Sequence, residues 1–281
     1  AVEAAAAAAA VTAEELLNRV ERAEPSRLAL ADEPAHVAGF HAVYHPPRQK
    51  VIGAAVSNGR LGASSLRGTL ANSGHIQGEA ARAYDTQCIE ACASVLSRPF
   101  GGLMFFPLSF SSIVHRPTRE LYAATLRQLP AARRAQLAAS VYDVPRDPSF
   151  TALSQLTSFL GQYFGFIDLC VTDPGFRVEK LSVSMVNSVT LVITETDQKA
   201  RLAQVRRFMD NRDNYKRQKI WPAVSHIRTK AELDFCLALR APFVSGPAVS
   251  DLLDGPAESG DLMPGELPLR RAGATPLARC A

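Results

Sequence analysis

Short apolar or β-branched runs alternate with amphipathic stretches between residues 25 and 253. Eight of these runs read as strands, at 40–45, 51–56, 102–109, 137–143, 165–171, 181–186, 219–224 and 243–244. Between them, Leu153, Leu156, Leu160 and Phe164 recur at helical spacing, as do Leu202, Val205 and Met209, so each set lines one face of a helix. From about residue 80 onward strand and helix alternate, the pattern of a parallel sheet with crossover helices. The first two strands are joined only by residues 45–50, too short for a parallel crossover, so they must form an antiparallel hairpin. The expected fold is α/β: a modified TIM-like barrel with an antiparallel opening strand, plus an N-terminal helix.

The flanks differ in pattern. Residues 1–24 carry an alanine run, then Thr12 followed three residues later by Glu15, a capping box. Ala13, Leu16, Leu17 and Val20 give that helix an apolar stripe expected to pack on the barrel or a second copy of the chain. After Asp254 the chain turns to Gly, Pro, Ala and Glu without apolar periodicity. Three parts follow: helix and linker at 1–37, barrel at 38–253, and an expected flexible tail at 254–281.

Composition narrows the function classes. The 281 residues are 47% hydrophobic and 21% charged, enough for one large core. A net charge of +4 is too mild to argue for nucleic acid by itself. The five cysteines, at 88, 92, 170, 236 and 280, form no CxxC pair and no zinc spacing, and read as reduced thiols of a cytoplasmic protein. Cys88 and Cys92 are expected to pack as small apolar residues rather than bind metal. No run approaches the roughly 20 apolar residues of a spanning helix, so no membrane insertion is expected. There is no GxGxxG, Walker loop, HExxH or GxSxG. The six histidines are dispersed, with His226 following a strand C-terminus, where barrel enzymes keep functional groups.

Several short segments, in order, resemble the EAL domain, the cyclic-di-GMP phosphodiesterase family. Ala42-Val43-Tyr44-His45-Pro46 is similar to the family's opening Tyr-Gln-Pro strand, and Val51-Ile52-Gly53-Ala54-Ala55-Val56 to the strand ending in Glu-Ala-Leu. Phe106-Pro107-Leu108-Ser109 stands at Val-Asn-Leu-Ser, Ser140-Val141-Tyr142-Asp143 at Glu-Ile-Thr-Glu, and Thr172-Asp173-Pro174-Gly175 at Asp-Asp-Phe-Gly. Leu181-Ser182-Val183-Ser184 takes the place of Leu-Lys-Ile-Asp, Pro222-Ala223-Val224-Ser225 of Glu-Gly-Val-Glu, and Val244-Ser245-Gly246-Pro247 of the closing Gln-Gly strand. The resemblance covers residues 38–253.

The resemblance implies two-metal hydrolysis of a phosphodiester, which needs carboxylate ligands at strand ends. The family's metal and water positions fall on Ala55, Pro107, Ser140, Thr172, Asp173, Ser182, Pro222, Ser225 and Ser245, of which only Asp173 is acidic. No Glu or Asp lies between Val51 and Asn72. The segment 172–181 also reads as shorter than the family's loop, which puts the usual homodimer in doubt. These departures lead to an expectation of a non-enzymatic signalling module without a cofactor, acting by protein–protein interaction in a bacterial pathway. The alternative is a cyclic-di-GMP receptor that does not hydrolyse its ligand. Under the first reading cyclic-di-GMP and nucleic acid are not expected as ligands. Partner contacts are expected at His226 or along a basic stretch that runs from Arg201 through Arg206, Arg207, Arg212, Lys216 and Arg217 to Lys219. No aromatic ladder accompanies that stretch in the sequence.

Overall fold

The computed structural model describes residues 38–58, 78–98 and 100–271. The expected N-terminal helix therefore lies outside the described residues, as does Cys280.

Eight strands close into a barrel in sequence order. They are β1 (Ala38–His45), β2 (Lys50–Asn58), β3 (Leu103–Ser109), β4 (Leu137–Tyr142), β5 (Phe166–Val171), β6 (Ser188–Val192), β7 (Trp221–Ser225) and β8 (Phe243–Ser245). β1 is antiparallel to both neighbours, pairing Phe40 with Val56 on β2 and Val43 with Ser245 on β8. All other pairs are parallel. The hairpin turn is the single 3-10 turn Pro46–Arg48, closed by Gln49 in the left-handed region. β2 and β3 approach so closely at Gly53 that an added Cβ would stand 2.2 Å from the Leu103 carbonyl oxygen.

The helices are α1 (Gly78–Ala91), α2 (Ala93–Leu96), α3 (Phe110–Val114), α4 (Arg116–Leu126), α5 (Phe150–Leu160), α6 (Gln198–Met209), α7 (Arg212–Gln218) and α8 (Lys230–Ala238). Serine, aspartate and threonine cap the starts of α5, α6 and α8, through Ser149, Asp197 and Thr229. The main core lies between sheet and helices. Strand residues such as Phe106, Val141, Leu169 and Leu191 meet Leu156, Leu160, Phe164, Val205 and Phe208 there. Cys88 and Cys92 are buried in this layer, as expected of packing residues, and burial pushes the Cys92 thiol up to about 12.

Two expectations need correction. The sixth strand is Ser188–Val192 rather than 181–186, where the chain makes a 3-10 turn (Val178–Lys180) and then irregular loop. The connection from β5 therefore runs from Thr172 to Asn187, and the apparent shortening of that loop came from placing the strand too early. The segment after Asp254 is also no free tail as far as Arg271. Val51 donates its amide to Gly260 and Leu262 donates to Gln49, while the Tyr44 hydroxyl donates to the Leu262 carbonyl and Leu267 is buried. This segment docks mainly by backbone hydrogen bonds, which an apolar-periodicity argument does not detect.

Candidate functional site

Alternate strand residues point into the barrel, where a mostly apolar lining that includes Val43, Phe105 and Phe166 surrounds a few polar groups. Asp168 on β5 is nearly inaccessible and is ringed by donors from three strands. It accepts from Ser188 Oγ at 2.5 Å, Thr190 Oγ1 at 2.8 Å, Ser140 Oγ at 3.2 Å and Cys170 Sγ at 3.5 Å. Burial raises its pKa and the hydrogen bonds partly offset that rise. The interior cavity around it holds about 100 Å³ and also touches His41, Ser225, His226 and Ser245. Sequence reasoning missed Asp168, whose signal was a lone acid at an alternate position of an otherwise apolar strand.

His41 faces the same interior from β1 and is 4% exposed. Burial lowers its pKa to about 4, against hydrogen bonding and charge from Ser250 and Asp251. The imidazole is therefore neutral in the fold and protonates readily once unfolded. Its contribution to stability is complete above the unfolded value near 6.5 and is lost as pH falls toward 4. Urea denaturation from pH 7 to pH 4 is expected to show about 3 kcal/mol lost through this group, a slope absent in His41→Gln.

The C-terminal rim holds two further acids. Asp143, at a φ of 51°, accepts from Ser109 Oγ at 2.9 Å, Ser111 Oγ at 2.5 Å and the Phe110 amide at 2.5 Å. Burial raises its pKa while these bonds act the other way. Asp173, just past β5, pairs with Arg146 at 2.7 Å and accepts the Gly175 amide at 2.8 Å. On the β4–β6 side, Ala81 of α1 packs with Tyr142, Cys170 and Val192 over the barrel's end. Among the described residues no group of three or more His, Cys, Asp or Glu side chains is gathered to hold a metal.

The structure divides the residues singled out from sequence. Ala55, Ser140, Ser225, His226 and Ser245 do meet around the interior cavity. Ser225 Oγ lies 2.9 Å from His226 Nδ1. Pro107 is buried on β3, beyond the last β2–β3 pair, where a missing amide costs that ladder nothing. Thr172 directly follows Val171, the last residue of β5, on the rim. Ser182 is exposed in the loop before β6, away from the interior cavity. Pro222 sits at the opposite, N-terminal end of the barrel.

The basic stretch also comes apart. Arg201 is not a surface residue but is 1% exposed and forms a bidentate pair with Glu232, Nε to Oε1 at 2.7 Å and Nη2 to Oε2 at 2.9 Å. It also donates to the carbonyls of Glu195 at 2.8 Å and His226 at 2.6 Å. Arg206 and Arg207 are exposed on α6, with the Arg206 guanidinium 5.4 Å from the Phe235 ring centre. Arg212 turns to the barrel's N-terminal end beside Lys216, Lys219 and Trp221.

No protein-family model matches the sequence, and no curated protein matches it. Solved structures do. A standalone EAL protein from Vibrio cholerae O395 in its c-di-GMP-bound form superposes with a TM-score of 0.53 at 11% identity, over 80% of this chain and 95% of that one. The EAL enzyme Bd1971, with cAMP bound, gives 0.53 at 9% identity over 75% of this chain and 61% of its own. Vibrio cholerae LapD, comprising S helix, GGDEF and EAL, gives 0.51 at 12% identity over 75% of this chain and 53% of its own. The chain thus spans only about half to three fifths of the latter two.

These structures correct two expectations. One structure of this fold is an enzyme, so the reading that the chain is not an enzyme does not stand. At 9–12% identity these structures share the fold with this chain and do not carry ligand positions over to it. The exclusion of cyclic-di-GMP as a ligand falls with it, because a protein of the same fold holds that nucleotide. No helix among the described residues is long and apolar enough to cross a membrane. The closed eight-stranded barrel with its antiparallel first strand is the EAL-domain fold, and this chain is built on it.

Proposed function

We propose that the chain is a regulatory module of bacterial cyclic-di-GMP signalling whose output is contact with a protein partner through α6. The observation carrying this reading is a contrast in how polar groups are used. Asp168, Asp143 and Arg201 are each tied to several partners within the fold, whereas Arg206 and Arg207 face solvent from a rigid helix. Arg206 is held over Phe235, which lowers the entropy lost when it engages an acidic group. Replacing both arginines with glutamate is expected to abolish stoichiometric capture of the partner from host lysate while leaving the melting temperature within about 2 °C. Unchanged capture overturns the reading.

A second reading, cyclic-di-GMP bound at the C-terminal rim, is supported by the nucleotide-bound neighbours of the same fold. Ser225, His226, Ser245 and the Arg146–Asp173 pair are the polar groups available there. Calorimetric titration with cyclic-di-GMP, with and without magnesium and with product analysis, tests it: micromolar affinity supports it, and absence of heat removes it.

A further inference from the structure

The N-terminal end of the barrel, opposite the rim, carries a basic and aromatic surface that the preceding readings do not use. Trp221, the first residue of β7, is 53% exposed. Its ring meets Phe243 edge-on with centroids 5.9 Å apart, and Phe243 meets His45 at 5.0 Å. These three rings come from the ends of three different strands, β7, β8 and β1, so the fold builds the aromatic cluster that the linear sequence lacks. An open depression of about 600 Å³ lies on one side of Trp221, lined by Arg212, Lys216, Lys219 and Arg240 together with one carboxylate, Asp213. A second, of about 350 Å³, lies on the other side and is lined by Arg48 and Lys50. Among the described residues no acidic side chain forms an ion pair with any of these six cations.

The backbone adds an independent observation. Gln49, Lys219 and Arg240 all have positive φ, at 48°, 54° and 55°. Each lies in a loop that feeds this surface, at a conformation where glycine is the low-strain choice. Two of these strained positions, Lys219 and Arg240, carry long basic side chains, which points to a use for the charge.

We infer that this face binds single-stranded nucleic acid, with Trp221 stacking on a base and the surrounding lysines and arginines on the flanking phosphates. Cations on both sides of one exposed indole match the phosphates on either side of a stacked base. An acidic peptide would use the charge but leave the ring faces idle. A single nucleotide would occupy only one of the two depressions.

Trp221 is the only tryptophan of the chain, so its emission reports on this surface directly. The full chain is titrated with a roughly 12-nucleotide oligouridylate and, separately, with polyglutamate. The expected result is quenching by the oligonucleotide, with an affinity that falls steeply as salt rises. By fluorescence anisotropy of labelled oligonucleotide, Trp221→Ala is expected to weaken binding about tenfold and Trp221→Phe much less. Lys219→Gly relieves the backbone strain, so it is expected to keep or raise the melting temperature while weakening binding and shallowing the salt dependence by about one phosphate. Emission unchanged by oligonucleotide overturns the inference. So does quenching by polyglutamate that equals or displaces the oligonucleotide, which would assign the face to an acidic protein. Loss of this binding leaves the α6 reading untouched, because that reading is tested with Arg206 and Arg207.

Discussion

Replacing Arg201 with methionine is expected to cost about 3–5 kcal/mol of stability. The substitution leaves the Glu232 carboxylate buried without its cation, held by the Arg228 amide at 2.8 Å and the Thr229 backbone. It also frees the carbonyls of Glu195 and His226, which Arg201 holds together from the loops after β6 and β7. Burial drives the Glu232 pKa up, but the Arg201 hydrogen bonds and the Arg228 amide outweigh it, leaving the value below normal. A depressed carboxylate contributes stability above its unfolded pKa and loses it as pH falls through the folded one. The methionine variant is therefore expected to lose that acid-limb dependence too. The double variant Arg201→Met, Glu232→Leu is expected to recover much of the loss, because it removes both buried charges instead of orphaning one. Denaturant titration of the two single variants and the double gives the coupling. A double variant no more stable than either single one would show that the pair's role is to hold the two loops.

The second large effect is expected at Asp85, which is fully buried on α1. Its carboxyl accepts from the Ser109 amide at 2.9 Å, from the Tyr142 hydroxyl at 2.9 Å and from the Tyr122 hydroxyl. Asp85→Ala strands three buried donors and is expected to cost on the order of 4 kcal/mol. Asp85→Asn keeps an acceptor and is expected to cost far less. Burial pushes the Asp85 pKa well up despite these bonds. A carboxyl with a raised folded pKa destabilises the fold as pH climbs from the unfolded pKa, near 4, through the folded one. Asp85→Asn lacks that slope, so the gap between wild type and variant should narrow at high pH. A constant gap from pH 4 to pH 8 would contradict the assignment.

The strands most legible in the sequence were those with an unbroken outward-facing apolar set. Met104, Phe106 and Leu108 on β3, and Ile167, Leu169 and Val171 on β5, name the helix-facing side and fix the strand position. β6 was misread because Leu181-Ser182-Val183-Ser184 and Ser188-Val189-Thr190-Leu191 share the same alternation. What separates them is tertiary. Ser188 and Thr190 find Asp168, whereas Val183 is 56% exposed. The hairpin was legible because chain length alone forbids a crossover there. Neither the Asp168 ring nor the Trp221 surface was readable in advance, since each joins residues from three strands or loops with no local signature. Arg201 was misassigned for a related reason: a helix with cations on several faces does not announce which one turns inward.

The antiparallel β1 ties the first described strand to the last. Phe40 exchanges backbone hydrogen bonds with Leu253, the Ala42 amide reaches Ser250 Oγ across 208 residues, and Tyr44 reaches Leu262 across 218. On a ribosome, β1 and β2 emerge well before β8, the second neighbour of β1. Until then the growing sheet keeps two unpaired edges, β1 and the newest strand, each able to recruit a strand from another chain. Yield of folded protein should therefore depend on how soon β8 follows β1 out of the ribosome, and slower initiation, which spaces nascent chains apart, should raise it.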